Sequence, residues 1–247
     1  MSSEKGRTSV FEFKNTVGLD QLFQEFTNNH QQDSHQFLLT LLQAIGNEFT
    51  LHNKNSGPFW FRSTLVSLVR CQSCNKVSTN HGDHSISIEI EISGDSLEEC
   101  LSTFFSQEEL ELENQWYCQN CQVPRCATKM LLLRERPILI ITMKRFTGSS
   151  KKVTTNVTFP LENLIIQNLV HKENLTRKKT RFKLFAVVNH LGTSVTSGHY
   201  TLYMKAKNNW VKFDDESVTP IRQERVNSSN AYTLVYIDQE KFKSLGS

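Results

Sequence analysis

The sequence predicts an α+β protein, with a strong helix near its start and a series of mostly antiparallel strands after it. An apolar face at helical spacing precedes residue 50, and short apolar runs typical of strands recur from about residue 59. The chain contains no internal repeat and no regular alternation of strands and helices. A helix followed by many antiparallel strands is typical of an α+β fold.

Length and composition are those of one large globular domain or two small ones. The chain has 247 residues, of which 38% are hydrophobic and 10% aromatic, and its net charge is +3. No apolar run approaches the roughly 20 residues that span a bilayer. The first residues lack the apolar segment of a secretory signal. We therefore expect an intracellular protein, cytoplasmic or nuclear, with no membrane partner.

The strong helix is predicted over residues 33–46. Asp33 and Gln36 have the spacing of a capping pair, and Gly46 provides a stop signal. Its apolar face consists of Phe37, Leu38, Leu41, Leu42 and Ile45. A weaker pattern predicts a short helix before it, formed around Leu19, Leu22, Phe23 and Phe26.

A second capping box, Ser96 with Glu99, predicts another helix whose apolar face includes Cys100. Alternating isoleucines predict a half-buried strand, and the apolar run after Pro137 predicts a buried one. Asn208 and Asn209 are expected to form a tight turn. The predicted strands are residues 86–92, 138–143, 184–188, 200–205, 210–213 and 232–237.

Four of the six cysteines form two CxxC pairs, Cys71 with Cys74 and Cys118 with Cys121. In an intracellular chain such pairs predict a zinc ribbon, because each tight turn presents two thiolates to one tetrahedral ion. Disulfides and free thiols are the alternatives, and disulfides are disfavoured without a secretory signal. The zinc would be structural, since four cysteines leave no open coordination position. Residues 75–117 would form an extended insertion, supported by the strand at 86–92.

The remaining cysteines and nearby histidines have simpler interpretations. Cys100 is expected in the core, and Cys126 follows the second pair too closely to be more than a bystander. His81 and His84 are expected to be surface loop residues rather than ligands.

Two basic clusters, Lys151 with Lys152 and residues 177–179, are predicted to be solvated loops. No aromatic residues are interleaved with them, as they would be on many nucleic-acid surfaces. A nucleic-acid-binding zinc ribbon is therefore the weakest hypothesis, and no nucleic-acid partner is expected.

His199 and Asp214 are spaced so that a short two-stranded ribbon would bring their side chains together. A cysteine peptidase needs a thiolate, a histidine that shares its proton, and a carboxylate or amide that orients the imidazole. These two residues provide the second and third groups. The Gly-His-Tyr sequence at 198–200 is a weak signal by itself, because a lone histidine on a strand is usually structural.

Seven segments, in order along the chain, resemble the ubiquitin-specific protease family of deubiquitinating enzymes. Gln36 stands where the family usually has Glu. The segments are 31–38 (QQDSHQFL), the two CxxC pairs with Tyr117, 136–146 (RPILIITMKRF), 159–161 (FPL), the histidine box at 186–200, 210–215 (WVKFDD) and 231–236 (AYTLVY).

The resemblance implies a papain-like cysteine peptidase fold shaped as a right hand. A partial helical thumb would cover residues 1–60, β fingers with the zinc ribbon residues 61–135, and a β palm residues 136–247. The family reaction is thiol-dependent hydrolysis of isopeptide bonds at the C-terminus of ubiquitin. The implied partners are ubiquitin and ubiquitinated proteins, and the implied cofactor is a structural Zn²⁺.

The resemblance also assigns roles. His199 would be the general base, Asp214 would orient it, and Asp215 would be a supporting acid. A narrow channel would hold the ubiquitin tail, whose two glycines let an unbranched backbone pass. The implied residues of the channel are Gln32, Asp33, His190 and Tyr200.

The family's cysteine box, which precedes the QQD segment, has no counterpart here, since no cysteine precedes Cys71. Neither the nucleophile nor the oxyanion-hole donors beside it can be assigned, and the chain alone is predicted to be inactive. Three explanations stay open: a fragment or splice form of an active protease, a ubiquitin-binding pseudoenzyme or scaffold, and a thumb supplied by a partner chain. A chain with an incomplete thumb would also expose apolar surface and be less stable.

Overall fold

A computed structural model describes residues 12–13, 21–28, 30–51, 61, 63–134, 137–146, 151–166, 180–194 and 197–240. Its α-helices are α1 (Ser34–Leu51) and α2 (Leu97–Phe104), and three 3-10 helices cover Gln21–Phe26, Leu112–Asn114 and Gln223–Arg225. The strands are β1 (Ser63–Cys71), β2 (Val77–Ser85), β3 (Ile88–Ile90), β4 (Glu108–Leu110), β5 (Trp116–Cys118), β6 (Val123–Arg125), β7 (Ala127–Arg134), β8 (Ile138–Met143), β9 (Leu164–Ile165), β10 (Arg181–Leu191), β11 (His199–Ala206), β12 (Asn209–Asp214), β13 (Ser217–Ile221) and β14 (Ala231–Asp238).

Helix α1 begins at the predicted cap. Asp33 Oδ1 accepts hydrogen bonds from the backbone N–H groups of His35 (2.6 Å) and Gln36 (3.1 Å). The predicted stop at Gly46 is wrong, because the helix continues to Leu51. Gly46 is buried inside the helix, and packing offsets the roughly 1 kcal/mol that glycine costs there. The short helix before α1 is the 3-10 helix Gln21–Phe26, whereas Leu19 lies outside the described residues.

The larger sheet holds the predicted strands of the second half of the chain. Its order is β13-β12-β11-β10-β14-β8-β3, with β9 also paired to β10. All its pairings are antiparallel except that of β3 with β8. The strands predicted at 138–143, 184–188, 200–205, 210–213 and 232–237 are confirmed, most of them one or more residues longer than predicted.

Strand β8 is buried on both faces of this sheet. Ile138 and Ile140 point to the face covered by α1, where Leu38 and Leu42 pack against them. Leu139, Ile141 and Met143 point to the other face, in the main core. That core also contains Cys100, which is 1% exposed as predicted, on helix α2. The capping box of Ser96 and Glu99 starts α2, as the sequence predicts.

The smaller sheet has the order β2-β1-β7-β4, and β5 and β6 form a separate two-stranded ribbon. The predicted strand at 86–92 is reduced to β3, which lies in the larger sheet beside β8. Ile88 and Ile90 are 1% and 0% exposed, so they need the buried strand β8 as a neighbour. Residues 75–117 therefore do not form one extended insertion. The chain returns along β1 as β2, crosses to the larger sheet for β3 and α2, and comes back for β4 and β5.

Three further predictions are wrong in detail. His81 and His84 lie on strand β2 rather than in a loop. Ala206 pairs with Asn209, so Lys207 and Asn208 form the tight turn, one residue earlier than predicted, and Lys207 takes the left-handed conformation (φ 52). Lys152 is only 9% exposed instead of solvated, because its ammonium donates to the carbonyl of His190 and to Asn230 Oδ1. Lys151 is exposed as predicted, and residues 177–179 lie outside the described residues.

Among the described segments, no helix has both the length and the apolar character needed to cross a membrane.

Candidate active site

The larger sheet brings His199 and Asp214 together. His199 is the first residue of β11 and Asp214 the last of β12, and these strands form an antiparallel pair. His199 Nε2 lies 2.6 Å from Asp214 Oδ1. A carboxylate can only accept, so Nε2 carries the proton in this hydrogen bond. Nδ1 of a neutral His199 is then the nitrogen that can accept a proton from a nucleophile.

Asp214 has a second partner. Nζ of Lys212 lies 2.6 Å from Asp214 Oδ2, so each carboxylate oxygen has its own donor. The hydrogen bond from Lys212, and after it the one from His199, lower the pKa of Asp214. The carboxylate is therefore ionised at neutral pH, as an orienting acid must be. Lys212 is a residue of this site that the sequence analysis missed.

Asp215 is close to this pair without touching it. Its Oδ2 lies 4.0 Å from His199 Nε2, and its side chain is 80% exposed. Its backbone is left-handed (φ 49), in the turn between β12 and β13. The role of supporting acid remains a prediction.

No cysteine belongs to the cluster that His199, Asp214 and Asp215 form, in which the ligand-type atoms lie within 4.8 Å of one another. All six cysteines of the chain lie in described residues. Four of them form a separate cluster. Cys100 Sγ contacts the carbonyl of Gly94 at 3.8 Å in the core, and Cys126 Sγ contacts the amide of Gln115 at 3.6 Å. The site therefore has an imidazole and its orienting acid but no thiol from this chain.

A second polar group connects α1 to the larger sheet. Asp33 Oδ2 accepts a hydrogen bond from the hydroxyl of Tyr232 at 2.6 Å, while Oδ1 caps α1. The capping and binding interpretations of Asp33 are therefore compatible. Tyr232 was not predicted as a site residue, since in the sequence it reads only as part of an apolar strand.

Aromatic rings extend from Tyr232 across the sheet. The rings of His190 and Tyr200 are 4.9 Å apart, those of Phe146 and His190 5.1 Å, and those of Tyr200 and Tyr232 6.3 Å. His190 and Tyr200 pair across β10 and β11, and Tyr200 directly follows His199 on β11. Burial raises the pKa of Tyr200 and of Tyr232 and lowers that of His190, so these three side chains are neutral near pH 7.

The structure brings Asp33, His190 and Tyr200 into one group of side chains, whereas the Gln32 side chain has other partners. Gln32 Nε2 donates to the carbonyl of Glu25 (2.7 Å) and to Asn28 Oδ1 (3.0 Å), both in the preceding segment. The role of Gln32 in binding a tail remains a prediction.

Two buried cations, Arg145 and Lys152, donate hydrogen bonds to the backbone of the strands that carry these aromatic residues. Arg145 is fully buried, and it donates to the carbonyl oxygens of Ala231, Val153 (2.9 Å) and Thr155 (3.0 Å). Burial lowers the pKa of Arg145 to about 10. Lys152 similarly holds the backbone of His190. Since two cations satisfy carbonyl groups at the ends of β10 and β14, the strands that carry His190 and Tyr232 are tied to the loop after β8.

The four predicted metal ligands also come together. Sγ of Cys74 and Cys118 are 3.6 Å apart, and Sγ of Cys71 and Cys121 are 4.0 Å apart. A disulfide requires about 2.05 Å. Four thiolates at about 2.3 Å from one zinc ion would be about 3.8 Å from each other. The cluster therefore fits a tetrahedral metal ion and excludes a disulfide in this arrangement.

The two cysteine turns have the same backbone. Asn75 and Gln122, each directly after the second cysteine of a pair, have φ of 58 and 59. Their N–H groups donate to the carbonyls of Cys71 (2.9 Å) and Cys118 (2.8 Å). The backbone N–H of Cys74 lowers the pKa of the Cys71 thiol to about 6, whereas hydrogen bonding with the Cys74 side chain raises that of Cys121 to about 12.

Comparison with known proteins identifies the family of the chain. The family model for ubiquitin carboxyl-terminal hydrolase matches residues 3–236. Ubiquitin carboxyl-terminal hydrolase 17 of Arabidopsis thaliana is 33% identical over 222 residues, which is 83% of this chain and 30% of that protein. Ubiquitin carboxyl-terminal hydrolase 36 of Drosophila mojavensis is 29% identical over 250 residues, 95% of this chain and 21% of that protein. The chain thus spans less than a third of the length of these relatives.

Solved structures show the same fold. The SAGA Ubp8/Sgf11/Sus1/Sgf73 DUB module bound to ubiquitin aldehyde matches with a TM-score of 0.74 at 27% identity, covering 87% of this chain and 51% of that one. A SAGA DUB module bound to monoubiquitin matches with a TM-score of 0.76 at 26% identity, covering 87% and 50%. The chain belongs to the ubiquitin carboxyl-terminal hydrolase family. Within it, the chain has the α+β fold of the ubiquitin-specific proteases, as the sequence predicts.

Proposed function

We propose that this chain is a deubiquitinase-type domain that binds the C-terminal tail of ubiquitin and provides the base half of a thiol-dependent site, but does not hydrolyse ubiquitin conjugates unaided. The observation that carries this proposal is the 2.6 Å contact between His199 Nε2 and Asp214 Oδ1 in a cluster without a cysteine. The partners would be ubiquitin and ubiquitinated proteins.

The family reaction defines what is present and what is missing. The histidine takes the proton of a cysteine thiol, and the thiolate attacks the isopeptide carbonyl and forms an acyl-enzyme. The amine leaves with the proton from the histidine, and water then hydrolyses the thioester. His199 has the geometry to take up and return this proton at Nδ1, while Asp214 accepts the hydrogen bond from Nε2 and transfers no proton itself. Without a thiol the covalent step cannot occur, and such a loss usually costs orders of magnitude in rate.

Tail recognition would use the group of side chains between α1 and the sheet. Asp33 can accept hydrogen bonds from backbone N–H groups or an arginine of the tail, and Tyr200, Tyr232 and His190 offer neutral aromatic walls. Two terminal glycines would suit a path between such walls.

One structural Zn²⁺ held by Cys71, Cys74, Cys118 and Cys121 completes the proposal. The sulfur spacings of 3.6 and 4.0 Å support it, and four cysteines leave no coordination position for a substrate. Thiolates that must stay reduced favour the cytoplasm or nucleus. We retain the division into a partial thumb (1–60), fingers (61–135) and palm (136–247) as part of this proposal.

Titration with labelled ubiquitin tests tail recognition. We expect saturable binding by the purified chain, and at least a tenfold weaker affinity for ubiquitin that lacks its two C-terminal glycines. Asp33→Asn should weaken binding, while its side-chain oxygen still caps α1. Urea denaturation of the variant separates this effect from any loss of stability caused by the changed contact with Tyr232. Absence of saturable binding, or equal binding of the truncated ubiquitin, would contradict the proposal.

A non-catalytic scaffold is the second candidate function, and the cluster without a thiol favours it. Both candidates predict ubiquitin binding. They differ in whether a thiol supplied to the site restores hydrolysis. A scaffold would bind ubiquitin and remain inactive with any added thumb segment of an active relative.

A further inference from the structure

We propose that Lys212 is a positioning residue, which holds the Asp214 carboxylate in the orientation that presents Oδ1 to His199. This inference rests on the proposed function, because it concerns the same half-site. Its test, however, requires neither ubiquitin nor hydrolysis.

The Asp214 carboxylate is divided between two partners. Lys212 Nζ lies 2.6 Å from Oδ2, and His199 Nε2 lies 2.6 Å from Oδ1. The Asp214 side chain is 33% exposed, so packing alone does not fix its rotamer. A charge-assisted hydrogen bond on each oxygen fixes the carboxylate plane. Loss of the one on Oδ2 leaves the side chain free to turn about its bonds.

The backbone of Lys212 is better restrained than that of Asp214. Lys212 lies inside β12, paired with Tyr203 of β11 on one side and Thr219 of β13 on the other. Asp214 is the last residue of β12, next to the turn at 215–216. Because side chains alternate along a strand, residues 212 and 214 point to the same face. The long Lys212 side chain can therefore reach the strand end from a fixed position.

Besides Lys212, the titratable groups near Asp214 come from two elements. Strand β11 contributes His199 and Tyr203, the turn contributes Asp215 and Glu216, and β13 has no titratable side chain. Lys212 is the larger cause of the lowered pKa of Asp214, ahead of His199. Without Lys212 the carboxylate would keep His199 as its one hydrogen-bond partner among the described residues. The structure thus gives Lys212 a role that a solvated surface lysine lacks.

Carbon-13 NMR of the Asp214 carboxyl carbon, followed against pH, provides the test, with Asp214→Asn to assign the signal. We compare the unchanged chain with Lys212→Met, with His199→Ala and with the double variant. If Lys212 positions the carboxylate, its loss also weakens the contact with His199. The two single substitutions then each raise the Asp214 pKa, and the double variant raises it by less than their sum.

Two controls accompany this cycle. Lys212→Arg retains a charged donor, so Asp214 should titrate as it does in the unchanged chain. Lys205→Met, which removes a lysine whose Nζ lies 5.5 Å from the Trp210 ring centroid, should also leave it unchanged. Additive effects in the double variant would reduce Lys212 to an attractive charge and overturn the inference, as would a Lys212→Met variant with an unshifted Asp214. Because ubiquitin binding is measured separately, failure of this inference and failure of the proposed function are distinguishable.

Discussion

The imidazole of His190 occupies the space that a side chain at position 198 would need. A Cβ atom on Gly198 would overlap His190 Nε2 and would lie 2.8 Å from the carbonyl oxygen of Leu191. Because Gly198 has no side chain, the backbone directly before His199 can lie against the imidazole of His190. The glycine of the Gly-His-Tyr sequence, which is a weak signal by itself, is therefore required by the position of His190.

We expect Gly198→Ala to destabilise the chain by about 2 kcal/mol or more, because the overlap must displace either His190 or the start of β11. Urea denaturation measures this loss. His190→Ala should recover part of it in the double variant, but not all, since the carbonyl of Leu191 remains. Ser197→Ala, at an exposed neighbouring position, is the matched control and should stay within about 0.5 kcal/mol. A Gly198→Ala variant as stable as the unchanged chain would show that this contact is not tight.

The buried guanidinium of Arg145 predicts a large stability effect remote from any substrate. Arg145→Met would leave the carbonyls of Ala231, Val153 and Thr155 without their donor, and we expect a loss of about 3–5 kcal/mol. Arg181→Met, an exposed arginine on β10, is the control and should cost less than about 0.5 kcal/mol. Equal urea midpoints for the two variants would refute the support assigned to Arg145.

Zinc content tests the cysteine cluster. We expect about one zinc per chain by elemental analysis, and chelation should lower the stability by at least about 3 kcal/mol, which corresponds to about 6–12 °C in Tm. Cys118→Ser should lose the metal. Cys126→Ser, which removes a thiol outside the cluster, should keep it. A metal-free chain that is as stable as the purified one would rule out a structural ion.

Two buried histidines predict that acid destabilises the fold. Burial lowers the pKa of His35 and of His190, and His35 Nε2 and His190 Nδ1 have no hydrogen-bond partner among the described residues. Below about pH 6.5 the unfolded state therefore binds protons that the folded state does not, and stability falls as the pH falls. The nearby charges are Glu89 and Asp33 for His35, and Lys152 and Asp33 for His190.

We expect each histidine to contribute on the order of 1 kcal/mol to the loss between pH 7.5 and 5.5. Urea denaturation at several pH values measures it. His35→Gln should flatten the dependence, because a neutral side chain cannot take up the proton in the unfolded state. A His35→Gln variant with the same pH dependence as the unchanged chain would assign the effect to other groups.

Much of the fold follows from local patterns in the sequence. The capping box at Ser96, the apolar run of β8 and the cysteine pairs are each determined by residues close in sequence, so they can be predicted without tertiary information. The end of α1 is different, because Gly46 is buried within a helix that continues to Leu51 despite the tendency of glycine to stop a helix. The placement of β3 likewise depends on a partner strand some 50 residues later.

The catalytic-type residues of the site could be predicted from the sequence, but the residues that hold the neighbouring side chains in place could not. His199 and Asp214 could be identified from their spacing and the family resemblance, since the chemistry constrains them directly. Lys152 and Tyr232 could not, because a lysine in a basic cluster and a tyrosine in an apolar strand have common structural explanations. Only the three-dimensional arrangement places the Lys152 ammonium on the His190 carbonyl and the Tyr232 hydroxyl on Asp33.

Hydrolysis of a fluorogenic ubiquitin C-terminal amide by the purified chain, with His199→Ala in parallel, tests the central claim most directly. We expect no release above that of the His199→Ala variant, because the base and its orienting acid have no thiol to activate. Release by the unchanged chain that disappears in His199→Ala would contradict the account. It would mean that a thiol such as Cys100 or Cys126 reaches the site in another conformation.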